Sequence, residues 1–118
     1  MRYILRVSSF DRAAALARLG DDEELLREVV ELFLSEYPIT LAQIRDAVQS
    51  RDASALESSA HSLKGSIATF GAEQARQAAF SLEQLGRESN LDPAPGKLSE
   101  LEQALTRLRG ELESFIAG

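Results

Sequence analysis

The 118-residue chain has no cysteine, a single histidine, and no apolar run that approaches a membrane span. Without cysteine there is neither a disulfide framework nor a thiolate metal site, which suits the cytoplasm. One histidine argues against a zinc centre. Charge interrupts the opening Met1-Arg2-Tyr3-Ile4-Leu5-Arg6 before a signal-peptide core can form, so a soluble, cytoplasmic chain with no membrane partner is expected. A net charge of −6 disfavours nucleic acid, whose binding depends on cationic contacts to phosphates, and favours a protein partner. Also missing are a Gly-rich phosphate loop and an acidic cluster at interpretable metal spacing. No second histidine is available to serve as base for the serines near the first, which disfavours a hydrolase triad. The chain is therefore expected to carry no cofactor or metal and to have no ATP-dependent kinase activity of its own.

What is present reads as helix. With 44% apolar and 27% charged residues the chain fits one domain with a substantial core, and apolar positions recur at helical spacing almost throughout. The pattern predicts a short helix over 11–18, ended by Gly20. A long helix over about 21–50 follows, opened by Asp21 with Glu24 in the manner of a capping box. Its apolar phase, from Leu26 through Phe33, Tyr37 and Leu41 to Val48, passes Pro38 unchanged, which predicts one kinked helix rather than two. Asp52 or Ser54 is placed to cap a third helix, with Gly71 as its left-handed terminator. A fourth begins near Ala72 with core positions Ala75, Ala78, Ala79, Leu82 and Leu85; Phe80 falls outside that stripe. Residues 89–96 read as the longest loop, and a last helix carries Leu98, Leu101, Leu105, Leu108, Leu112 and Phe115.

The expected fold is all-α: an up-down-up-down four-helix bundle over residues 10–118 with a short additional N-terminal helix. Residues 1–9 form a separate segment with no assigned role. A second apolar stripe, Leu25, Leu32 and Ile39, either covers the short first helix or forms a subunit contact. The first reading is preferred, since the short helix needs a partner, and it makes the chain a monomer.

His61 stands out within the third helix. At about 100° per residue, Leu56, Ala60, Leu63, Ile67 and Phe70 share one face, and His61 lies roughly 140° away from it. Lys64, one turn on, falls on the same flank, while Gly65, Ala68 and Ala72 fall within roughly 40° of His61. Glycine in a helix interior costs about 1 kcal/mol relative to alanine, so this nearly bald surface suggests close approach by a partner. Neutral imidazole is a competent nitrogen nucleophile and could accept a phosphoryl group. Lys64 could lay its ammonium against the phosphoryl oxygens, although spacing alone also fits a solvated lysine.

The run His61-Ser62-Leu63-Lys64-Gly65-Ser66, followed by Phe70-Gly71-Ala72, resembles the signature of histidine phosphotransfer (HPt) domains of multistep phosphorelays. The resemblance extends upstream through Asp22-Glu23-Glu24-Leu25-Leu26, Phe33-Leu34 and Pro38, and downstream to Leu82-Glu83-Gln84-Leu85-Gly86-Arg87. It implies that His61 receives a phosphoryl group from a receiver-domain aspartyl-phosphate and donates it to another receiver aspartate. Lys64 would stabilise the phosphoryl oxygens, while Gly65 and Gly71 would keep the surface open for the receiver; the helical phase adds Ala68 and Ala72 to that docking face. Response-regulator receivers and a hybrid sensor histidine kinase are the implied partners, with Mg²⁺ held by the receiver. One position departs from the pattern: several family members place glutamine near the histidine, and the matching residue here is Glu83. Its carboxylate would repel a phosphoryl group, and no supporting role is assigned to it. The alternative is a docking module that binds receivers through the same face without being phosphorylated.

Overall fold

Three short acidic side chains set where helices begin. An α-helix leaves its first four N–H groups without intrahelical partners, and an aspartate just before the first turn can accept from one of them. Asp11 accepts from the Ala14 amide, Asp22 from Leu25 and Asp52 from Ala55, each at 3.0 Å. The computed structural model describes residues 9–118 and contains, among them, α1 (Arg12–Arg18), α2 (Glu23–Ser50), α3 (Ala53–Ala68), α4 (Glu73–Arg87) and α5 (Ala94–Ala117). The separate N-terminal segment lies outside the described residues up to residue 8. Ser9 and Phe10 are buried, and their backbone amides donate to the two carboxylate oxygens of Glu111 on α5.

The long second helix runs through Pro38 without a break. Its buried positions, Leu26, Val30, Phe33, Tyr37, Leu41, Ile44 and Ala47, keep the phase read from the sequence. Two boundaries differ from expectation. The cap of α2 is Asp22 rather than Asp21, because Asp21 takes a left-handed backbone (φ 62°) in the turn after Gly20 (φ 67°). The predicted loop over 89–96 is shorter, because α5 starts at Ala94; Pro95 sits in its first turn, where a missing N–H costs nothing.

α3 packs on α2 and α4, and α5 packs on α2 and α4, so the four longer helices enclose one core; α1 rests on α2. The core comes from one stripe on each long helix. At one end it is aromatic: the Phe70 ring lies edge-on to Phe10 (6.1 Å between centroids) and Phe33 (5.0 Å), and Phe33 stacks on Tyr37 (5.1 Å). The stripe Leu25, Leu32 and Ile39 does not cover α1: Leu32 and Ile39 are 56% and 62% exposed. That correction removes the ground on which a monomer was expected. No helix among the described residues is long and apolar enough to cross a membrane.

Candidate functional site

The site is built on the seam between α3 and α4. Leu56, Ala60, Leu63 and Ile67 turn the inner face of α3 into the core, which leaves His61 on the outer flank with 68% of its side chain exposed. Opposite, α4 buries Ala75, Ala78, Ala79, Leu82, Glu83 and Gly86. Gly86 permits the closest approach of the two helices. A β-carbon there would lie 2.6 Å from the Glu57 backbone nitrogen and 2.7 Å from the Ala53 carbonyl oxygen, contacts that backbone atoms cannot relieve. This proximity brings Glu83 beneath His61.

Glu83 is the only buried charged side chain among the described residues, and its carboxylate gathers three nitrogens. His61 Nδ1 is 3.0 Å from Oε2, Arg87 donates to the same oxygen at 2.9 Å, and Lys64 Nζ stands 2.8 Å from Oε1. Lys64 makes this contact as an ion pair without the alignment of a directed hydrogen bond, which leaves Oε1 charge-compensated but without a hydrogen-bond partner. The Lys64 ammonium also lies 5.0 Å above the Phe80 ring, which places the aromatic side chain that helical phase alone left unassigned. Arg87 Nε donates in turn to Glu57 Oε2 at 2.9 Å, tying the N-terminal half of α3 to the end of α4. Burial pushes the Glu83 carboxyl up, but Lys64 and His61 outweigh that effect and hold it below the usual carboxylate range.

The residues singled out in the sequence have separate fates. His61 and Lys64 converge on one carboxylate, with Lys64 mostly turned inward. Gly65 is exposed, and a β-carbon there would meet no atom within 4 Å; Ala68 is half-buried. Gly71 has the left-handed backbone expected of a terminator (φ 63°), but it faces the start of α1 rather than an open surface. A β-carbon on Gly71 would stand 2.7 Å from the Asp11 β-carbon, where the Asp11 amide donates to the Phe70 carbonyl. Ala72 is 2% exposed within the core, so it offers no docking surface. Both are corrections: the projection that placed Ala72 stops applying where the helix ends at Ala68, and the open surface that the resemblance implied for Gly71 is taken up by the start of α1.

Glu83, which the resemblance set near the histidine, is the residue whose burial and contact with His61 the sequence reading missed. A signal was present, since Ala79, Leu82, Glu83 and Gly86 follow i, i+3, i+4, i+7 spacing and therefore share the face turned to the core. No group of three or more histidine, cysteine, aspartate or glutamate residues among the described residues is arranged to hold a metal ion.

The chain matches the Hpt domain family model over residues 28–111, a span that contains His61, Lys64, Gly65, Glu83 and Arg87. Its structure is similar to the crystal structure of histidine-containing phosphotransfer protein B (HptB) from Pseudomonas aeruginosa PAO1, with a TM-score of 0.84 and 23% identity over 92% of this chain and 95% of that one. At that identity the likeness speaks to the fold. No curated protein matches the sequence. With most of its length inside the family model, the chain belongs to the Hpt domain family, a membership that supports a phosphotransfer role in phosphorelays.

Proposed function

We propose that this chain is a phosphorelay intermediate in which His61 accepts a phosphoryl group from a receiver-domain aspartyl-phosphate and passes it to another receiver's aspartate. The observation that carries this reading is the setting of the chain's single histidine, exposed on an outer helix flank while one ring nitrogen is held by a buried carboxylate. A nucleophile serving a macromolecular partner must be reachable, and its ring must be oriented before the partner arrives. Four helices in an up-down-up-down bundle supply the rigid support.

The receiver docks across His61 and the side-chain-free surface at Gly65, with Ala68 at its edge. The neighbouring groove between α2 and α3, lined by Leu32, Glu36, Thr40, Ser62 and Ser66, extends this surface. Lys64 supplies positive charge beside the acceptor. Mg²⁺ and the acidic pocket belong to the receiver, and the chain needs no cofactor.

The test is transfer of labelled phosphate, with Mg²⁺, from a panel of phosphorylated receiver domains to the wild type and to His61→Gln. Acid-labile, alkali-stable label on the wild type alone is expected. Receivers that bind both proteins but label neither would instead support a docking module.

A further inference from the structure

Phe80 has no place in the hydrophobic core. The inward face of α4 is Ala75, Ala78, Ala79, Leu82, Glu83 and Gly86, and Phe80 lies about 100° from Ala79 around the helix. It belongs neither to the buried core nor to the half-buried apolar side chains that pack against it. A half-buried phenylalanine in that position leaves apolar surface in water and gains little packing in return, so the core does not explain it. A contact across the seam does. The Lys64 ammonium lies 5.0 Å from the ring centroid, within the range of an attractive cation–π interaction.

Lys64 needs such a restraint, because lysine is a point charge on a flexible four-carbon stem. Its 2.8 Å contact with Glu83 lacks the alignment of a directed hydrogen bond, and that carboxylate is shared with His61 and Arg87. The neighbouring arginines on α4 are committed elsewhere: Arg76 to Glu73, at 3.1 and 2.7 Å, and Arg87 to Glu57 and Glu83. Phe80 and Glu83, three residues apart on α4, hold the Lys64 ammonium from two sides, and the lysine side chain is only 22% exposed. The ring attracts the ammonium without carrying a net charge, so it fixes the lysine and leaves its positive charge to act on the site.

We propose that Phe80 is a positioning residue for phosphoryl transfer: its ring holds the Lys64 ammonium one turn from His61 before the phosphoryl group arrives, so that the charge is in place when transfer begins. This inference rests on the reading of His61 as the acceptor. As the lone pair of an imidazole nitrogen forms the N–P bond, the P–O bond of the aspartyl-phosphate breaks and its electron pair leaves on the carboxylate. The phosphoryl oxygens stay negatively charged throughout. An ammonium already held nearby stabilises them without first losing the freedom of a solvated side chain.

The experiment uses the full chain, two substitutions and two readouts. Phe80→Leu keeps apolar bulk and removes the aromatic face, whereas Phe80→Tyr keeps that face; thermal unfolding establishes that each variant is folded. The first readout is proton NMR. The ring current of Phe80 is expected to shift the Lys64 ε-methylene protons upfield in the wild type and in Phe80→Tyr, and that shift should vanish in Phe80→Leu. The second is the rate at which phosphoramidate labels His61 without a receiver, its P–N bond breaking as ammonia leaves. That rate should fall about two- to fivefold in Phe80→Leu, the scale of one partly exposed cation–π contact, and recover in Phe80→Tyr. In a Lys64→Met background the same Phe80→Leu change should have no further effect, a coupling that a merely structural loss would not produce. Unshifted Lys64 resonances in the wild type, equal rates in wild type and folded Phe80→Leu, or a Phe80→Leu loss that persists without Lys64 would overturn the proposal. A wild type that phosphoramidate fails to label at His61 would strike the acceptor reading and the transfer role with it, while the Lys64 resonances still report where the ammonium is held.

Discussion

The two ends of α3 are held in place by opposite means. Near Phe70 the packing is dry and bulky: three phenylalanine rings and Tyr37 meet edge-on or stacked, and Phe70 itself is 1% exposed. Around Glu83 the backbones of α3 and α4 nearly touch at Gly86, and a charged side chain is buried among the apolar ones. Aromatic burial gives much stability and little directional constraint. A buried carboxylate shared among three nitrogens gives less net stability, because desolvation offsets most of its attraction, but it fixes where those nitrogens lie. The fold is anchored at one end and the reactive ring is oriented at the other.

Substitutions should separate these contributions. Phe70→Ala is expected to cost about 3–5 kcal/mol of unfolding free energy in urea titrations, the range for removing a buried phenylalanine. The folded fraction should keep its His61 ring environment. Gly86→Ala should cost about 1–3 kcal/mol, the scale of overpacking, and should also shift the His61 ring resonances, because separating α3 from α4 draws Glu83 away from the histidine. If Gly86→Ala lowered stability and left those resonances unchanged, the two ends would not be specialised in this way.

Acid should act chiefly at the polar end. The folded-state carboxyl of Glu83 is held below its ordinary value by Lys64 and His61 against the opposing effect of burial, so its contribution to stability is present above the unfolded carboxyl pKa. That contribution is lost as pH falls through the lower, folded value. The difference in melting temperature between wild type and Glu83→Gln is therefore expected to narrow as pH falls from neutral into the range below ordinary carboxylate titration. A gap that widened in acid would contradict the pairing. The smallest effect belongs to the open surface. Gly65→Ala should be neutral or stabilising by up to about 1 kcal/mol, since nothing crowds the new methyl group. Gly65→Gln should weaken receiver binding in titrations without loss of stability.

The same contrast explains what could be read from sequence. The long apolar phase of α2 crosses Pro38 legibly, because burial of seven positions along one helix outweighs the local cost of a proline. His61 was legible because its displacement from the α3 stripe is a property of one helix. Ala72 was misplaced because the helical projection was carried past the end of α3, and Gly71 because the contact of α1 against it is not a property of α3. The pairing of Glu83 and of Phe80 was illegible for another reason: Lys64, which meets both, is on a different helix. A glutamate judged from its own charge repels phosphate, whereas one paired with Lys64 and Arg87 does not act as a bare anion. Gly86 likewise acquires meaning only when the α3 backbone is set against it.

The most direct measurement is the identity of the phosphorylated residue. In ¹⁵N-labelled protein phosphorylated by a receiver or by phosphoramidate, coupling of ³¹P to a ring nitrogen identifies a phosphohistidine. Phosphorus is expected on a ring nitrogen of His61 and on no other residue. Phosphorus on any residue other than His61 would contradict this reading.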